Sequence, residues 1–177
     1  MKTEQPQPVK YFIGALYSDQ RLLEQAKQQC LDKIGVIEQL SEPFPFDATP
    51  YYNEEMGQPL FRMFFSFRDL RSPGDLALLK VSCNGIEENL AVDGSRKVNL
   101  DIGYLDFHKM ILASAKYNGQ KIYLDHGVYA DPTLIFESGK FQALENTFPD
   151  FKSGAYSAFF YTLRQSYKTQ LRDIIPA

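Results

Sequence analysis

The segment KYFIGALY, from Lys10 to Tyr17, constrains the fold most, because it is apolar at both its even and its odd positions. Side chains of a strand alternate between the two faces of a sheet, so this pattern is typical of a strand that is buried on both faces. The 177 residues are 44% apolar and 23% charged. These proportions are those of a folded protein of about one domain, and we predict a single domain over residues 1–177.

The first hundred residues predict an alternation of strands and helices. Strands are expected at 10–17, 36–41, 60–68 and 96–101, and helices at 18–34 and 72–90. The order strand, helix, strand, strand, helix, strand is the split βαβ or ferredoxin-like (βαββαβ) pattern. We therefore predict the α+β class, with a core of four antiparallel strands and two helices on one face.

The remaining sequence predicts additions to this core. A third helix is expected from Asp106 to Lys116, and a β-hairpin region follows with strands at 121–124, 128–136 and 141–144. A long C-terminal helix is expected from about Ser153 to Ile174, with an apolar stripe at helical spacing. Residues 1–8 are polar, contain two prolines, and are expected to form a loose tail.

Charge and composition exclude several classes of protein. With 19 basic and 22 acidic residues the net charge is −3, which argues against a protein that binds duplex DNA. No apolar stretch is long enough to span a membrane, and no apolar signal region follows the N-terminal lysine. The two cysteines lie 53 positions apart, without the spacing of a zinc site or a disulfide framework. We expect a cytoplasmic protein.

The segment from Glu42 to Pro59 combines four prolines, four acids and four aromatic residues, and it contains no base. The prolines exclude a regular helix or a central strand. An ordered loop of this composition either closes the edge of the sheet as a lid or forms a wall that faces a ligand. The candidate lid residues are Asp47, Tyr51, Tyr52 and Glu55.

A first group of candidate site residues lies on the predicted sheet and on the second helix. It comprises Arg62, Asn99 and Asp101 from strands and Lys80, Asn84 and Glu87 from the helix. The helical trio has spacings of four and three and therefore shares one stripe, beside the apolar stripe. It faces either a cleft or solvent. Asp101, at the predicted end of a strand, is a candidate general base or metal ligand, and the alternative is a turn cap.

A second group is basic and comprises Arg96, Lys116 and Lys121. Recognition of a phosphate or carboxylate requires such residues to converge in space. Established nucleotide motifs are missing: no glycine-rich P-loop, no G-x-G-x-x-G fingerprint and no N-K-x-D guanine motif occurs in the sequence.

Several segments resemble a bacterial family of unknown function, domain-of-unknown-function family 4416. The segments that resemble it are EPFPFDATPYYNEEMG at 42–57, VNLDIGY at 98–104, Lys116 with residues 122–134, and FPDF at 148–151. The resemblance runs from about Val9 to Arg172. This sequence departs from the family's pattern at three places: it has Ile102, Asn146 and Gln120-Lys121 where proline, tryptophan and a His-Arg pair are expected. Members often carry a GTP-binding label, but the family has no established activity, so the resemblance implies only that its motifs mark a site.

The leading hypothesis from the sequence is a domain that binds or processes a small anionic ligand, either a nucleotide or a phosphorylated metabolite. Asp101, with Asp47, Glu55 or Glu87, would hold a divalent cation or act as a base, so an enzyme remains one of the alternatives. Replacing Asp101 with asparagine is expected to abolish binding and to leave the fold intact.

Two other hypotheses remain open. One is a non-catalytic interaction module that forms a homodimer through the aromatic loop at 44–52. The other is binding of single-stranded RNA on a sheet face, which the acidic balance and the lack of an RNP-like pattern disfavour.

Overall fold

The strand at Lys10–Tyr17 lies at the centre of a large antiparallel sheet in the computed structural model, which describes residues 2–174. Within these residues the sheet has nine strands, in the order β2-β4-β1-β5-β6-β8-β7, with β3 beside β4 and β9 beside β8. The strands are β1 Lys10–Tyr17, β2 Ile37–Leu40, β3 Phe44–Pro45, β4 Phe61–Phe67, β5 Val98–Leu105, β6 Lys109–Ser114, β7 Ile122–Asp125, β8 Val128–Glu137 and β9 Lys140–Ala143.

Three long helices pack on this sheet. They are α1 Gln20–Lys33, α3 Leu76–Asn89 and α5 Ser157–Ile174, and two single-turn helices are α2 Asn53–Met56 and α4 Pro149–Lys152. Local signals begin the first two long helices. The Asp19 carboxylate accepts hydrogen bonds from two backbone N–H groups of α1, and the Ser72 hydroxyl caps the 3-10 turn that leads into α3. None of the helices in residues 2–174 is both long and apolar enough to cross a membrane.

Both faces of the sheet are covered, as the apolar pattern of β1 requires. Tyr11 and Ile13 pack in one core with α1 and α3, whereas Phe12 packs in a second core with α5. β4 shows the predicted alternation, because Phe65 lies in the first core and Phe64 in the second. The molecule is therefore a mixed α and β structure with a large antiparallel sheet, which is larger than the four strands expected.

The prediction of a third helix at 106–116 is wrong, because this segment is the strand β6. The Asp106 carboxylate accepts hydrogen bonds from the backbone N–H groups of His108 and Lys109, and this turn joins β5 to β6 as a hairpin. Met110 and Ile111 then enter opposite cores. A strand that is buried on both faces has no alternation, so its short apolar run is indistinguishable from a helix by periodicity.

The strand expected at 96–101 extends further, because β5 runs from Val98 to Leu105. Gly103 pairs with Leu112 of β6, and a Cβ at this position would overlap the carbonyl oxygen of Ile111. Glycine is therefore required by close approach of two strands. As a result Asp101 lies in the middle of β5, not at its end.

Candidate functional site

A cleft opens in the sheet where β5 and β6 separate. The two strands are paired only over Gly103–Leu105 of β5, whereas the first half of β5 is paired with β1 alone. The resulting cavity has a volume of about 460 Å³. Its walls come from the first half of β5, the end of β6, the last turns of α3 and the loop after β3. A split between adjacent strands is a place where side chains of several elements meet around one space.

Two residues of α3 support the backbone at the split. The Lys80 ammonium donates a hydrogen bond to the carbonyl oxygen of Leu100 (2.9 Å), and the N–H of Leu100 donates to the Glu87 carboxylate (2.8 Å). Both side chains are buried. Unpaired backbone groups in the interior are costly, so Lys80 and Glu87 take the place that β6 would occupy in a continuous sheet. The predicted helical stripe of Lys80, Asn84 and Glu87 therefore faces the cleft, not solvent.

Most of the residues predicted as a site from the sequence line this one cleft. They are Tyr51, Tyr52, Lys80, Asn84, Glu87, Arg96, Asn99, Asp101, Lys116 and Lys121. Arg62 lines an adjoining cavity, and Glu55 reaches the cleft through its contact with Arg96. Asp47 is not brought to the cleft: it is exposed and borders a separate depression on the far side of the 42–59 loop. The convergence itself depends on the split in the sheet.

Arg96 is held by acidic and amide groups of the protein. Its guanidinium donates two hydrogen bonds to the Glu55 carboxylate, at 2.6 and 2.8 Å, and a third to the Asn99 side-chain oxygen at 2.9 Å. The hydrogen bond from Arg96 lowers the pKa of Glu55 despite its partial burial. This bidentate pair ties the loop that contains α2 to the start of β5, and it leaves Arg96 little capacity to bind an anion.

Arg62 and Asp101 form a buried ion pair between β4 and β5. The Arg62 guanidinium lies 2.7 Å from one Asp101 oxygen and 3.4 Å from the Asp150 carboxylate. Burial raises the pKa of Asp101, but the charges of Arg62 and Lys80 and the hydrogen bonds from Arg62 and Asn99 outweigh it, so the pKa is lowered. Asp101 is therefore a stable carboxylate, which is suited to accept hydrogen bonds and is a weak general base.

The side chains predicted to bind a metal with Asp101 do not come together in the structure. No group of three or more histidine, cysteine, aspartate or glutamate side chains converges anywhere in residues 2–174. The proposed co-ligands of Asp101 are engaged or distant, because Glu55 binds Arg96, Glu87 binds Lys80 and Leu100, and Asp47 lies elsewhere. Divalent cations usually require several oxygen ligands from the protein. Asp101 therefore contributes a single carboxylate to the cleft.

Lys116 and Lys121 form the basic end of the cleft. The Lys116 ammonium donates a hydrogen bond to the Tyr51 hydroxyl (2.8 Å), which lowers the pKa of Tyr51. The Lys121 ammonium donates to the Ser114 hydroxyl (3.0 Å) and lies 3.5 Å from the Asp131 carboxylate. Both lysines and Ser114 line the cavity, and the Ser114 hydroxyl donates a hydrogen bond to the carbonyl oxygen of Lys116 (3.2 Å).

Asp131 lines the cleft, and the sequence analysis missed it. Its side chain, on β8, is 5% exposed, and burial raises its pKa although Lys121 opposes the shift. It is a lone acid in the run VYADPTLIF, and this position in an apolar strand was the one signal of its burial. Phe148, Ser114 and Asn118 also line the cleft and were missed as site residues. Ser114 ends β6 and Asn118 is an exposed loop residue, so neither stands out in the sequence, whereas Phe148 begins the FPDF segment that resembles the family.

Replacing Asp131 with asparagine is expected to stabilise the fold at neutral pH. Because its folded-state pKa lies above its unfolded value, the folded state holds this proton more tightly, and the stability it contributes at acidic pH is lost as the pH rises through the folded pKa. The difference between the variant and the wild type should therefore grow between about pH 4 and pH 7. Urea denaturation at several pH values measures it, and a difference that does not change with pH would contradict the burial argument.

A second chamber adjoins the basic cleft. It has a volume of about 450 Å³ and aromatic walls from the 42–59 loop and from α4 and the residue before it. Both chambers are lined by Tyr51, Tyr52, Asp101, Leu112, Lys116 and Phe148. The two spaces therefore adjoin across these shared walls: Lys121 lines only the first, the basic chamber, and Phe46, Arg62 and Phe151 line only the second, the aromatic chamber.

Comparison with known proteins assigns the chain to a family. The model of the family described as Domain of unknown function (DUF4416) matches residues 7–167. The chain belongs to this family. The match confirms the resemblance that the motifs at 42–57 and 98–104 indicate, and both DUF4416 motifs contribute walls of the cleft. No curated protein and no solved structure matches the chain.

Proposed function

We propose that the cleft binds a small anionic ligand, a nucleotide or a phosphorylated metabolite, whose anionic group lies between Lys116 and Lys121. The observation that carries this proposal is that both ammonium groups line one cavity, and that Lys116 has no carboxylate partner among residues 2–174. Ammonium groups that line a cavity provide the charge-assisted hydrogen bonds that phosphate and carboxylate oxygens accept.

Charge pairing within the cleft separates Lys116 from the other basic residues. Arg62, Arg96 and Lys80 each lie within 3.5 Å of a carboxylate and also bind backbone or amide groups of the protein. Within residues 2–174, Lys116 has no carboxylate partner, and its hydrogen bond is to a tyrosine hydroxyl. Lys121 lies 3.5 Å from the Asp131 carboxylate, and its hydrogen bond is to the Ser114 hydroxyl.

The fold supports a site at this place. We infer that β1, β2, β4 and β5 with α1 and α3 form a ferredoxin-like unit, because their order β2-β4-β1-β5 is antiparallel throughout and both helices lie on one face. Strands β6 to β9 and α5 extend this unit. The cleft lies at the junction between the unit and its extension, where β5 begins to diverge from β6.

Exchange of both lysines for alanine tests the proposal. In thermal melts a panel of nucleotides and phosphorylated metabolites should contain a compound that raises the Tm of the wild type. Its affinity, measured by calorimetry, should fall by at least about tenfold for each lysine removed, because a hydrogen bond to a charged group contributes about 1.5–3 kcal/mol. Lys116→Ala/Lys121→Ala is the test variant.

The matched control is Lys33→Ala/Lys140→Ala, which removes the same charge from two exposed positions outside the cleft. The control should retain the wild-type affinity. Equal losses in the two double variants would show that the net charge, not the cleft, attracts the ligand. A panel without a single stabilising compound would contradict the proposal.

An interaction module is the second candidate, and the edge of the sheet favours it. The four residues of β7 are exposed, with exposed fractions of 62% for Ile122 and 57% for Tyr123. An exposed apolar edge strand is a surface on which another strand can pair. The predicted interface at 44–52 is less suited, because Phe44 and Phe46 pack against the protein's own cores. A mass of one chain at every concentration in sedimentation equilibrium would exclude a homodimer.

A further inference from the structure

The aromatic chamber is the feature that the anionic ligand leaves unexplained. Its deep wall consists of Phe46 and Phe151, whose ring centroids lie 5.1 and 5.9 Å from the Arg62 guanidinium. The Nε of Arg62 is buried and has no hydrogen-bond partner among residues 2–174. The chamber therefore combines apolar ring surfaces with one unpartnered N–H donor, an arrangement that favours a planar group with a hydrogen-bond acceptor.

The mouth of the chamber carries exposed aromatic side chains. Tyr51 is 61% exposed and Phe148 is 47% exposed, and both line the basic chamber as well as the aromatic one. The Lys121 ammonium lies 5.9 Å from the centroid of the Phe148 ring. A planar ring that stacked on Phe148 would thus be next to the basic end of the cleft, so one molecule can occupy both chambers.

Asp101 lies where the two chambers meet. Its side chain is 26% exposed, lines both spaces and remains ionised because of Arg62. A carboxylate at this point can accept hydrogen bonds from hydroxyl groups that lie between a ring and an anionic group. The two adjoining chambers therefore offer one ligand an aromatic surface, a hydrogen-bond acceptor and two ammonium groups.

We propose that the aromatic chamber binds a planar ring of the same ligand whose anionic group lies at Lys116 and Lys121, and that the ligand class is a nucleoside monophosphate. This inference rests on the proposed function. It narrows the ligand, because a phosphorylated metabolite without a ring would leave the aromatic chamber empty. The cleft volumes of about 460 and 450 Å³ are in the range of small-molecule sites.

Calorimetry on the full chain with three kinds of probe tests the inference. The probes are purine and pyrimidine nucleoside monophosphates, the corresponding nucleosides, and ribose 5-phosphate. At least one monophosphate should bind at least about tenfold more tightly than ribose 5-phosphate, since stacking of a base on an aromatic side chain contributes about 1–3 kcal/mol. It should also bind more tightly than its nucleoside, which lacks the anionic group.

Phe148→Ala is the variant that isolates the ring. It should remove most of the advantage of the monophosphate over ribose 5-phosphate and leave the affinity for ribose 5-phosphate unchanged. Because Phe148 is half exposed, this change should not unfold the protein. The control is Tyr123→Ala, which removes an equally exposed ring on β7, outside both chambers.

The outcomes distinguish this inference from the proposed function. If ribose 5-phosphate binds as tightly as every monophosphate, and both depend on Lys116 and Lys121, the ring inference is overturned and the anion site stands. If Phe148→Ala weakens ribose 5-phosphate and the monophosphate equally, the inference is also overturned. If no probe binds in a way that depends on the two lysines, both the inference and the proposed function are wrong.

Discussion

Replacing Arg62 with methionine is expected to lower the free energy of unfolding by about 3–5 kcal/mol at pH 7. The Arg62 side chain is 5% exposed and lies between the carboxylates of Asp101 and Asp150. Methionine fills part of the space but leaves these two carboxylates without their cation. A buried charge that loses its partner is strongly destabilising, and chemical denaturation at pH 7 measures the loss.

The effect of this substitution should depend on pH with a definite sign. In the wild type the lowered pKa of Asp101 means that its contribution to stability is present above the unfolded pKa and is lost as the pH falls through the folded pKa. Without Arg62, burial favours the neutral carboxyl groups, and acid then relieves the penalty. The difference from the wild type should therefore be smaller at pH 4 than at pH 7.

Arg68→Met is the matched control for Arg62. Arg68 comes directly after β4, and its side chain is 57% exposed beside Asp69 at 3.4 Å. An exposed ion pair contributes about 0–1 kcal/mol, so this variant should remain close to the wild type. Equal losses at Arg62 and Arg68 would contradict a buried ion pair at the cleft.

The same ion pair changes the expectation for Asp101→Asn. The sequence alone predicts that this substitution abolishes binding and leaves the fold intact. In the structure it removes the closest anion from the buried Arg62, although Asp150 remains 3.4 Å from the guanidinium. We expect a loss of stability that is smaller than that of Arg62→Met. Binding by this variant must therefore be measured well below its Tm.

Replacing Phe64 with alanine is expected to lower the free energy of unfolding by about 3–5 kcal/mol. Phe64 is fully buried between β4 and α5, and the centroids of the Tyr156 and Phe160 rings lie 4.7 and 5.1 Å from its own. The cavity left by the ring cannot close easily, because it is bounded by the sheet backbone on one side and by α5 on the other. Thermal and urea denaturation give the size of the loss.

Leu78→Ala is the control for this cavity. Leu78 is 58% exposed on α3, so truncation removes little buried surface, and the free energy of unfolding should change by about 0.5 kcal/mol or less. Binding of a cleft ligand by Phe64→Ala, measured below its Tm, should persist, because Phe64 lines neither chamber. A Phe64→Ala protein as stable as Leu78→Ala would show that the α5 face is not a packed core.

Residue chemistry made much of the candidate site predictable. Lys80, Asn84 and Glu87 share a helical stripe, and Asn99 and Asp101 alternate with apolar residues on one strand, so their local geometry follows from their spacing. The meeting of these elements at one cleft did not follow from spacing. It depends on the point at which β5 leaves β6, and no local pattern marks that point.

Asp131 and Lys121 also show that the sequence does not predict which charged side chains become buried. Each has an ordinary side chain in the sequence, and what makes them notable is burial beside one another at 3.5 Å. Burial is a property of the assembled sheet, because β7 and β8 must pack beside β6 before either group is desolvated. The raised pKa of Asp131 therefore has no counterpart in the sequence.

The sequence by itself determined the elements whose signals are local. These are the strand β1, which is buried on both faces, the strand β4 with its alternating pattern, and the helix N-termini capped by Asp19 and Ser72. Only the tertiary structure decided that residues 109–114 are a strand and that the strands predicted at 121–144 join the four core strands in one sheet of nine strands. The physical reason is that a cap or an alternation is an interaction between near neighbours in the chain. Strand pairing and burial are interactions between distant segments. They prevail over local preference when the backbone N–H and C=O groups of a short apolar run can form hydrogen bonds with a neighbouring strand.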